Sequence, residues 1–195
     1  SPGTAVDDED YIDIGNSRGT NTLGTAMARV GNPHPFTVEF WMNANSADQV
    51  LTNHVYNSNT ARIDVALFSI FTPGTGTGID KFNIYMAGDG PAGPTQINGE
   101  LRIARTTTPN VINTRVNIGD GQCHHIAITY NGGVVLVYVD GVLVSTTNNF
   151  NVTLAATDFY SLGQEYDRAG GVPVPSQFYN GHMDEFRLWT DVRTP

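Results

Sequence analysis

The sequence predicts a single all-β domain, and three observations support this prediction. First, 21 of the 195 residues are Gly and 10 are Pro, only 15% are charged, and Lys81 is the only lysine. Second, short runs of alternating apolar and polar residues recur, and every gap between them holds Gly, Pro, Asn or Asp. Third, no segment keeps a 3.6-residue periodicity. Residues 1–195 are therefore predicted to form one antiparallel sandwich.

The clearest isolated strand is predicted at residues 36–42. Its four apolar residues at even positions share one face, and Thr37, Glu39 and Trp41 share the other. We predict that this strand is packed on both faces. Further strands are predicted at residues 62–70, 81–86, 100–105, 111–118, 124–130, 134–139, 159–162 and 181–189.

A three-stranded meander is the strongest local prediction. Alternating runs at 125–130, 134–139 and 142–144 are separated by Asn131-Gly132-Gly133 and by Asp140-Gly141. Asn-Gly and Asp-Gly favour tight hairpin turns because these residues tolerate positive φ. The three runs are therefore expected to pair as neighbouring antiparallel strands.

Two regions are richer in loop residues than a plain sandwich requires. One covers residues 72–80 and 88–99, and the other covers residues 163–177. Long structured loops in compact domains are frequently functional, so we expect a binding site on one of them.

The charge balance argues against two classes of partner. Asp and Glu total 19 against 10 for Lys and Arg, which gives a formal net charge of −9. A phosphate binder needs a clustered cationic face, so we expect neither nucleic acid nor an anionic membrane surface as partner. No apolar run reaches the roughly 18 residues that span a bilayer, and we expect no membrane insertion.

Cys123 is the only cysteine, which excludes a disulfide within the domain. Cysteine usage therefore leaves the redox compartment open. A free thiol on a strand is usually a small core residue, and we predict that Cys123 is buried.

Four segments, taken in order, resemble one family. They lie at residues 10–14, 36–41, 124–141 and 180–189, and the Tyr-Val-Asp-Gly hairpin with the Gly-x-x-Asp-Glu-x-Arg final strand is the most specific pair. The chain resembles laminin-G-like and pentraxin-like domains, which implies a concanavalin A-like jelly roll of two antiparallel sheets. The resemblance implies a secreted or cell-surface protein, with neighbouring domains of the same chain.

The resemblance also implies a calcium loop. The segment from 162 to 177 is similar to the pentraxin loop in which a Glu, a carbonyl, an Asp and a later Gln supply oxygen ligands. By position, the ligands here would be the side chains of Glu165, Asp167 and Gln177 and the carbonyl of Tyr166. Ca²⁺ takes six to eight hard oxygens, and this loop supplies about half of them.

The remaining ligands are expected from the region after the second strand, where Asn57, Asn59 and Asp64 are open alternatives. Val174 stands where the pentraxin loop has a further acidic residue, so one ion is favoured over two. The alternative is that the acidic residues of this loop are solvated carboxylates beside Arg168, as such residues usually are.

A second cation is considered at Asp184. In many concanavalin-type jelly rolls the equivalent Asp of the last strand meets the N-terminal segment, here the acidic run at residues 7–10, at a structural cation. The alternative is that Asp184 pairs with Arg187 or caps a strand, while the acidic run is a solvated tail.

No catalytic pair is evident. Jelly-roll glycosidases need two carboxylates roughly 5 to 9 Å apart, whereas Glu39, Glu100 and Glu185 stand alone in predicted strands. Asp184 and Glu185 are adjacent and are expected on opposite faces. The histidines leave a polysaccharide lyase open without supporting one, and we predict that the domain is not an enzyme.

Aromatic side chains are expected around the calcium loop. Tyr56, Tyr166 and Tyr179 are the candidate ligand-binding residues, because aromatic faces stack on sugar rings. Phe178 and Tyr179 alternate, so core packing is the alternative role for at least one of them.

The sequence therefore predicts a calcium-supported recognition module of an extracellular or cell-surface protein, with carbohydrate or another cell-surface or matrix ligand as its partner. One alternative is a structural or protein-binding module in which calcium only stabilises loops. A second alternative is a glycan-active enzyme.

Overall fold

The computed structural model describes residues 12–15, 23, 27, 34–49, 64–72, 79–88, 97–105, 111–169 and 172–194. Two antiparallel sheets of six and five strands face one another, and a separate two-stranded hairpin accompanies them. This is the predicted jelly-roll sandwich. No helix in the described part of the chain is long and apolar enough to cross a membrane.

The six-stranded sheet consists of β1 (Ile12–Gly15), β3 (Asp64–Thr72), β4 (Ile79–Ala87), β5 (Glu100–Ala104), β6 (Val111–Asn117) and β10 (Phe159–Leu162). Their spatial order is β1-β10-β3-β4-β5-β6. Strands β3 and β10, which are distant in sequence, are therefore neighbours, with Ser69 opposite Ser161.

The five-stranded sheet consists of β2 (Phe36–Asn45), β7 (Asp120–Asn131), β8 (Val134–Val139), β9 (Val142–Thr147) and β13 (His182–Trp189). Their spatial order is β13-β2-β7-β8-β9. A short 3₁₀ turn, Ser46–Asp48, follows β2.

The hairpin consists of β11 (Glu165–Ala169) and β12 (Val172–Ser176). Residues 163–177 were predicted to be a loop from their content of loop residues, and these two strands correct that prediction. Pro173 and Pro175 lie within β12. A two-stranded hairpin has only edge strands, in which a missing backbone N–H is tolerated.

Alternation places the core between the two sheets. Phe36 stacks on Tyr130 at 5.0 Å between ring centroids and meets Phe82 of the opposite sheet edge-on at 5.1 Å. The prediction that β2 is packed on both faces was wrong at Trp41, which is 43% exposed.

Thr37, on the outer face of β2, is buried by the segment that follows β13. Its hydroxyl donates to the Asp191 carbonyl and accepts from the Arg193 N–H, both at 2.9 Å. The end of the described chain is thereby attached across the outer face of the five-stranded sheet.

The predicted meander is confirmed as β7-β8-β9. Its turns use positive φ at Gly132 and Gly133 and at Asp140 and Gly141. Cys123 corrects another prediction: it is exposed, because β7 begins with an exposed stretch before its buried residues.

Candidate functional site

The candidate site lies on the face of the six-stranded sheet that is turned away from the core. In β4, Phe82 and Ile84 belong to the core. Asn83 and Tyr85 alternate with them and therefore point to the opposite face. Both are nonetheless buried, with 0% and 6% exposure. Something other than the second sheet covers them.

That cover includes Glu165, the first residue of the hairpin, which is only 4% exposed. The Tyr85 hydroxyl donates to Glu165 Oε2. Asn83 Nδ2 donates to the Tyr85 oxygen at 2.6 Å and lies 3.3 Å from Glu165 Oε2. Burial, reinforced by the negative charges of Glu165 and Asp80, raises the pKa of Tyr85 well above its ordinary value. The phenol therefore remains protonated and acts as a hydrogen-bond donor to Glu165.

Gln177 joins the hairpin to β3. Its carbonyl accepts from the Ala66 N–H at 2.8 Å, and the residue before it, Ser176, pairs with Glu165 across the hairpin. Gln177 has φ of 54°, in the left-handed region, so the backbone turns at the point where it reaches β3. The backbone of Gln177 is thus attached to β3 two residues after Asp64.

Asp64 is the first residue of β3, and one of its two carboxylate oxygens is bound by Arg102. Its Oδ2 accepts from Arg102 Nη1 at 2.5 Å, and Arg102 Nε donates to Asn113 Oδ1 at 3.0 Å. Asp64 Oδ1 and Gln177 Oε1 are both buried and have no hydrogen-bond partner among the described residues. An unpaired buried oxygen is costly, so these two atoms need a partner such as water or a cation.

The donor set fits a hard cation in type. Glu165, Asp64 and Gln177 offer carboxylate and amide oxygens, which Ca²⁺ prefers, and Tyr166 offers a backbone carbonyl. Asp167 lies on β11, and its side chain is outside the described residues. Within the described part, no three Asp, Glu, His or Cys side chains gather as a metal cluster. Asn57, Asn59 and Tyr56 lie outside the described residues.

The candidate aromatic residues Tyr166 and Tyr179 contact different parts of the sandwich. Tyr166 stacks on Phe71 at 5.0 Å, and Phe71 packs against Phe159 at 5.1 Å. The Tyr179 hydroxyl lies within hydrogen-bonding distance of the carbonyls of Asn43, at 3.1 Å, and His182, at 3.0 Å. Tyr179 therefore links β2 to β13 as a packed residue, and burial raises its pKa well above its ordinary value.

Asp184 lies on the other sheet, in the edge strand β13. Its Oδ1 accepts from the Glu185 N–H at 2.7 Å, and Glu185 has φ of 51° at a register shift. Arg187 pairs with Glu185 at 2.9 Å and with Glu39 at 3.7 Å. The acidic run at residues 7–10 lies outside the described residues, so the second cation remains a prediction.

The outer face of the five-stranded sheet has a different character. Trp41 packs at a tilt on His125, with ring centroids 5.2 Å apart. Glu39 accepts from Trp189 Nε1 at 3.1 Å. A cavity of about 260 Å³ lies beside them, with Tyr138 among its lining residues.

Sequence reasoning missed Asn83, Tyr85 and Arg102 as neighbours of the candidate loop. The alternation of β4 and β5 already indicated that these side chains share the face opposite the core. What the pattern lacked was the contact of that face with Glu165, which is 80 residues away from Tyr85.

Comparison with known proteins identifies the family. The model of the laminin G family of the concanavalin A-like lectin/glucanases superfamily matches residues 15–195. The chain belongs to this family. No match was found among curated protein sequences.

Similar solved structures show the same fold at low identity. The carbohydrate-binding module CBM40 of the Ruminococcus gnavus IT-sialidase, bound to α2,3-sialyllactose, is 14% identical with a TM-score of 0.62, over 95% of this chain and 88% of that chain. A heptameric SAP-like pentraxin of Limulus polyphemus is 19% identical with a TM-score of 0.54, over 83% and 66%. A Trypanosoma rangeli sialidase is 15% identical with a TM-score of 0.52, over 83% and 21%. This chain thus spans about two thirds of the pentraxin's length and a fifth of the sialidase's.

Proposed function

We propose that this domain is a non-catalytic module of an extracellular protein that binds carbohydrate with the help of one calcium ion. Glu165, Asp167, Gln177, Asp64 and the carbonyl of Tyr166 would hold the ion. The observation that carries the proposal is the pair of buried oxygens, Asp64 Oδ1 and Gln177 Oε1, that lack a partner among the described residues.

The hydrogen bonds around the hairpin support this choice of residues. The bond from Ala66 to the Gln177 carbonyl brings the hairpin end beside the start of β3. Asp64 and Gln177 are 113 positions apart in the sequence, and this bond brings their backbones close together without an ion. A preformed set of hard oxygens costs less to organise when the ion binds.

The bound ion would supply a positive centre that coordinates two neighbouring hydroxyl oxygens of a sugar. The chain itself would supply the apolar part of the contact. Tyr166, stacked on Phe71, is the aromatic group beside the proposed ligands, and aromatic faces favour the C–H face of a sugar ring.

The family supports carbohydrate as the ligand class, since its superfamily is described as lectins and glucanases. The Ruminococcus gnavus module of the same fold was solved with a bound sialyllactose. A binding role is favoured over catalysis because Glu165 is buried and already accepts hydrogen bonds from Tyr85 and Asn83. A carboxylate held in this way is poorly placed to act on a bond of a sugar in solution.

The testing experiment is thermal unfolding with calcium and with excess chelator. A ligand that binds only the folded state stabilises it by about 2.7 kcal/mol at a hundredfold excess over Kd. In a domain of this size that corresponds to roughly 5–11 °C. Asp64→Asn and Gln177→Ala should abolish the shift, and the control Asp184→Asn should keep it.

Binding to a glycan array with and without calcium then tests the ligand class. Calcium-dependent binding that Asp64→Asn removes supports the full proposal. A calcium shift with no glycan bound would favour the alternative of a structural or protein-binding module. A shift that survives in Asp64→Asn and Gln177→Ala, or no shift at all, would contradict the proposed site.

A further inference from the structure

Arg102 is a fixed cation beside the proposed calcium ligands. Its guanidinium donates to Asp64 through Nη1 and to Asn113 through Nε, so it is held at two points. The Arg102 side chain is 15% exposed. A guanidinium cannot lose its charge at physiological pH. One of the ligand carboxylates is therefore permanently paired with a positive charge.

The register of the sheet explains how Arg102 reaches Asp64. Arg102 of β5 lies opposite Tyr85 of β4, and Asn113 of β6 lies opposite Arg102. Asp64 is on β3, the far neighbour of β4. The long side chain of Arg102 thus crosses over β4 on the face that carries Tyr85 and Glu165, while Asn113 steadies it from the other side.

The two oxygens of Asp64 are used differently. Oδ2 accepts from Arg102, whereas Oδ1 is buried and has no partner among the described residues. A carboxylate can bridge two cations, one on each oxygen. A cation on Oδ1 would then share the negative charge of Asp64 with Arg102, and like charges at this range repel.

We propose that Arg102 is an internal counter-ion that sets the calcium affinity of this site. Without calcium it neutralises Asp64 and holds it in the ligand position. With calcium it weakens binding by on the order of tenfold, because it lowers the effective charge of the ligand set. This inference rests on the proposed function, since it concerns the same site.

Isothermal titration calorimetry with calcium chloride on chelator-treated protein tests the inference. Arg102→Met keeps the apolar stem and removes the charge, and it should bind calcium about tenfold more tightly than the unaltered protein. Arg102→Lys keeps the charge and should stay within about threefold of the unaltered protein. Arg187→Met, on the other sheet, is the matched control and should leave the affinity unchanged.

A melting curve in chelator gives a second readout that does not need calcium. Arg102→Met should melt at a lower temperature, because Asp64 loses its partner, and Asp64→Asn should recover part of that loss in the double variant. Arg102→Gln gives the same comparison if Arg102→Met does not fold. A double variant that recovers nothing would contradict the role of Arg102 as counter-ion.

The outcomes of these calcium titrations distinguish the proposed calcium site from the proposed role of Arg102. Tighter binding by Arg102→Met than by the unaltered protein supports both. Equal or weaker binding by Arg102→Met overturns the inference and leaves the proposed calcium site intact. Binding by Arg102→Met alone supports the inference and contradicts calcium binding by the unaltered chain. Binding by neither protein overturns both.

Discussion

The outer faces of the two sheets are built by the same alternation and yet differ in environment. On the six-stranded sheet, Asn83 and Tyr85 face away from the core and are still nearly inaccessible, and both are hydrogen-bonded to Glu165 of the hairpin. On the five-stranded sheet, Trp41 is 43% exposed, and the charged side chain of Arg187 is 46% exposed. Asn83 and Tyr85 therefore lie in a second interior, whereas Trp41 and Arg187 lie at the surface.

The contribution of a polar contact to stability therefore depends on its exposure as well as on its geometry. Hydrogen bonds and ion pairs of similar length occur on both faces. A covered group that loses its partner keeps its desolvation cost, whereas an exposed group regains water. We therefore expect matched substitutions on the two faces to differ severalfold in their effect on stability.

The largest difference should come from two ion pairs of nearly equal length. Lys81 pairs with Asp158 at 3.0 Å, and the Asp158 side chain is fully buried. Asp158→Ala leaves Lys81 without that partner and also removes acceptors for Thr72 and Ala155. The free energy of unfolding in urea should fall by about 3–5 kcal/mol.

The matched control for this pair is Arg187→Ala. Arg187 and Glu185 are 2.9 Å apart, but their side chains are 46% and 52% exposed. This variant should lose at most about 1 kcal/mol. Equal losses in the two variants would show that the two faces are not different environments.

A smaller contrast is expected between two tyrosines. Tyr85→Phe removes the buried hydroxyl that donates to Glu165 and should cost about 1–3 kcal/mol. Tyr138→Phe, on the five-stranded sheet, should change the free energy of unfolding by less than about 0.5 kcal/mol. Both are measured by urea unfolding in chelator, so that calcium does not contribute. A larger loss for Tyr138→Phe would reverse the comparison.

Trp41→Ala tests where ligand binding resides. Trp41 is a large exposed aromatic residue, so its removal should cost less than about 1 kcal/mol of stability. Under the proposed function, binding on a glycan array should be unchanged, since the ligand lies on the other sheet. Loss of glycan binding with an unaltered melting temperature would move the site to the five-stranded sheet.

The smallest effect should be a pH dependence at His124. Burial by itself lowers the pKa of His124, but hydrogen bonds and charges from Asp140 and Asp120 outweigh it and raise the pKa overall. A raised pKa in the folded state gives stability that is fully present below the unfolded value, about 6.5. That stability is lost as the pH rises through the folded value. The free energy of unfolding should therefore decline gently on that side, and His124→Gln should flatten the decline.

At acidic pH, the change in the free energy of unfolding should come from Asp120 and Asp140, the partners of His124. The hydrogen bond from the Gln122 N–H, then that from His124, lowers the pKa of Asp120. Burial opposes the shift at Asp140, where hydrogen bonds from His124 and the His125 N–H lower the pKa. Their contribution is present above the unfolded value of about 3.9 and is lost as the pH falls through the lower folded values. If the free energy of unfolding declines equally with rising pH in His124→Gln and in the unaltered protein, the decline does not come from His124.

Much of the fold could be predicted, because strand alternation and turn chemistry are local. The meander of β7, β8 and β9 needed only the apolar runs and the Gly and Asp residues of its turns. The shared apolar face of Phe36, Val38, Phe40 and Met42 followed from the same alternation. The sandwich needed the family resemblance as well, since local patterns do not state which strands become neighbours.

The site could be predicted only as separate residues. Glu165 and Gln177 came from the resemblance, and Asp64 was one of three alternatives. Their surroundings depend on contacts across long stretches of chain, such as that of Tyr85 with Glu165, 80 positions away. The hairpin was missed because the region 163–177 is rich in loop residues, and the exposure of Cys123 was missed because a strand can begin outside the sheet's buried part.

The attachment of Asp191 and Arg193 to Thr37 has a practical consequence for surface-based assays. Both residues are hydrogen-bonded to the Thr37 hydroxyl on the five-stranded sheet, so an affinity tag joined shortly after Arg193 starts from that side of the domain. A sensor chip that captures such a tag would leave the hairpin and the six-stranded sheet facing the flowing analyte. Immobilisation by this end should therefore preserve the full binding capacity of the proposed site.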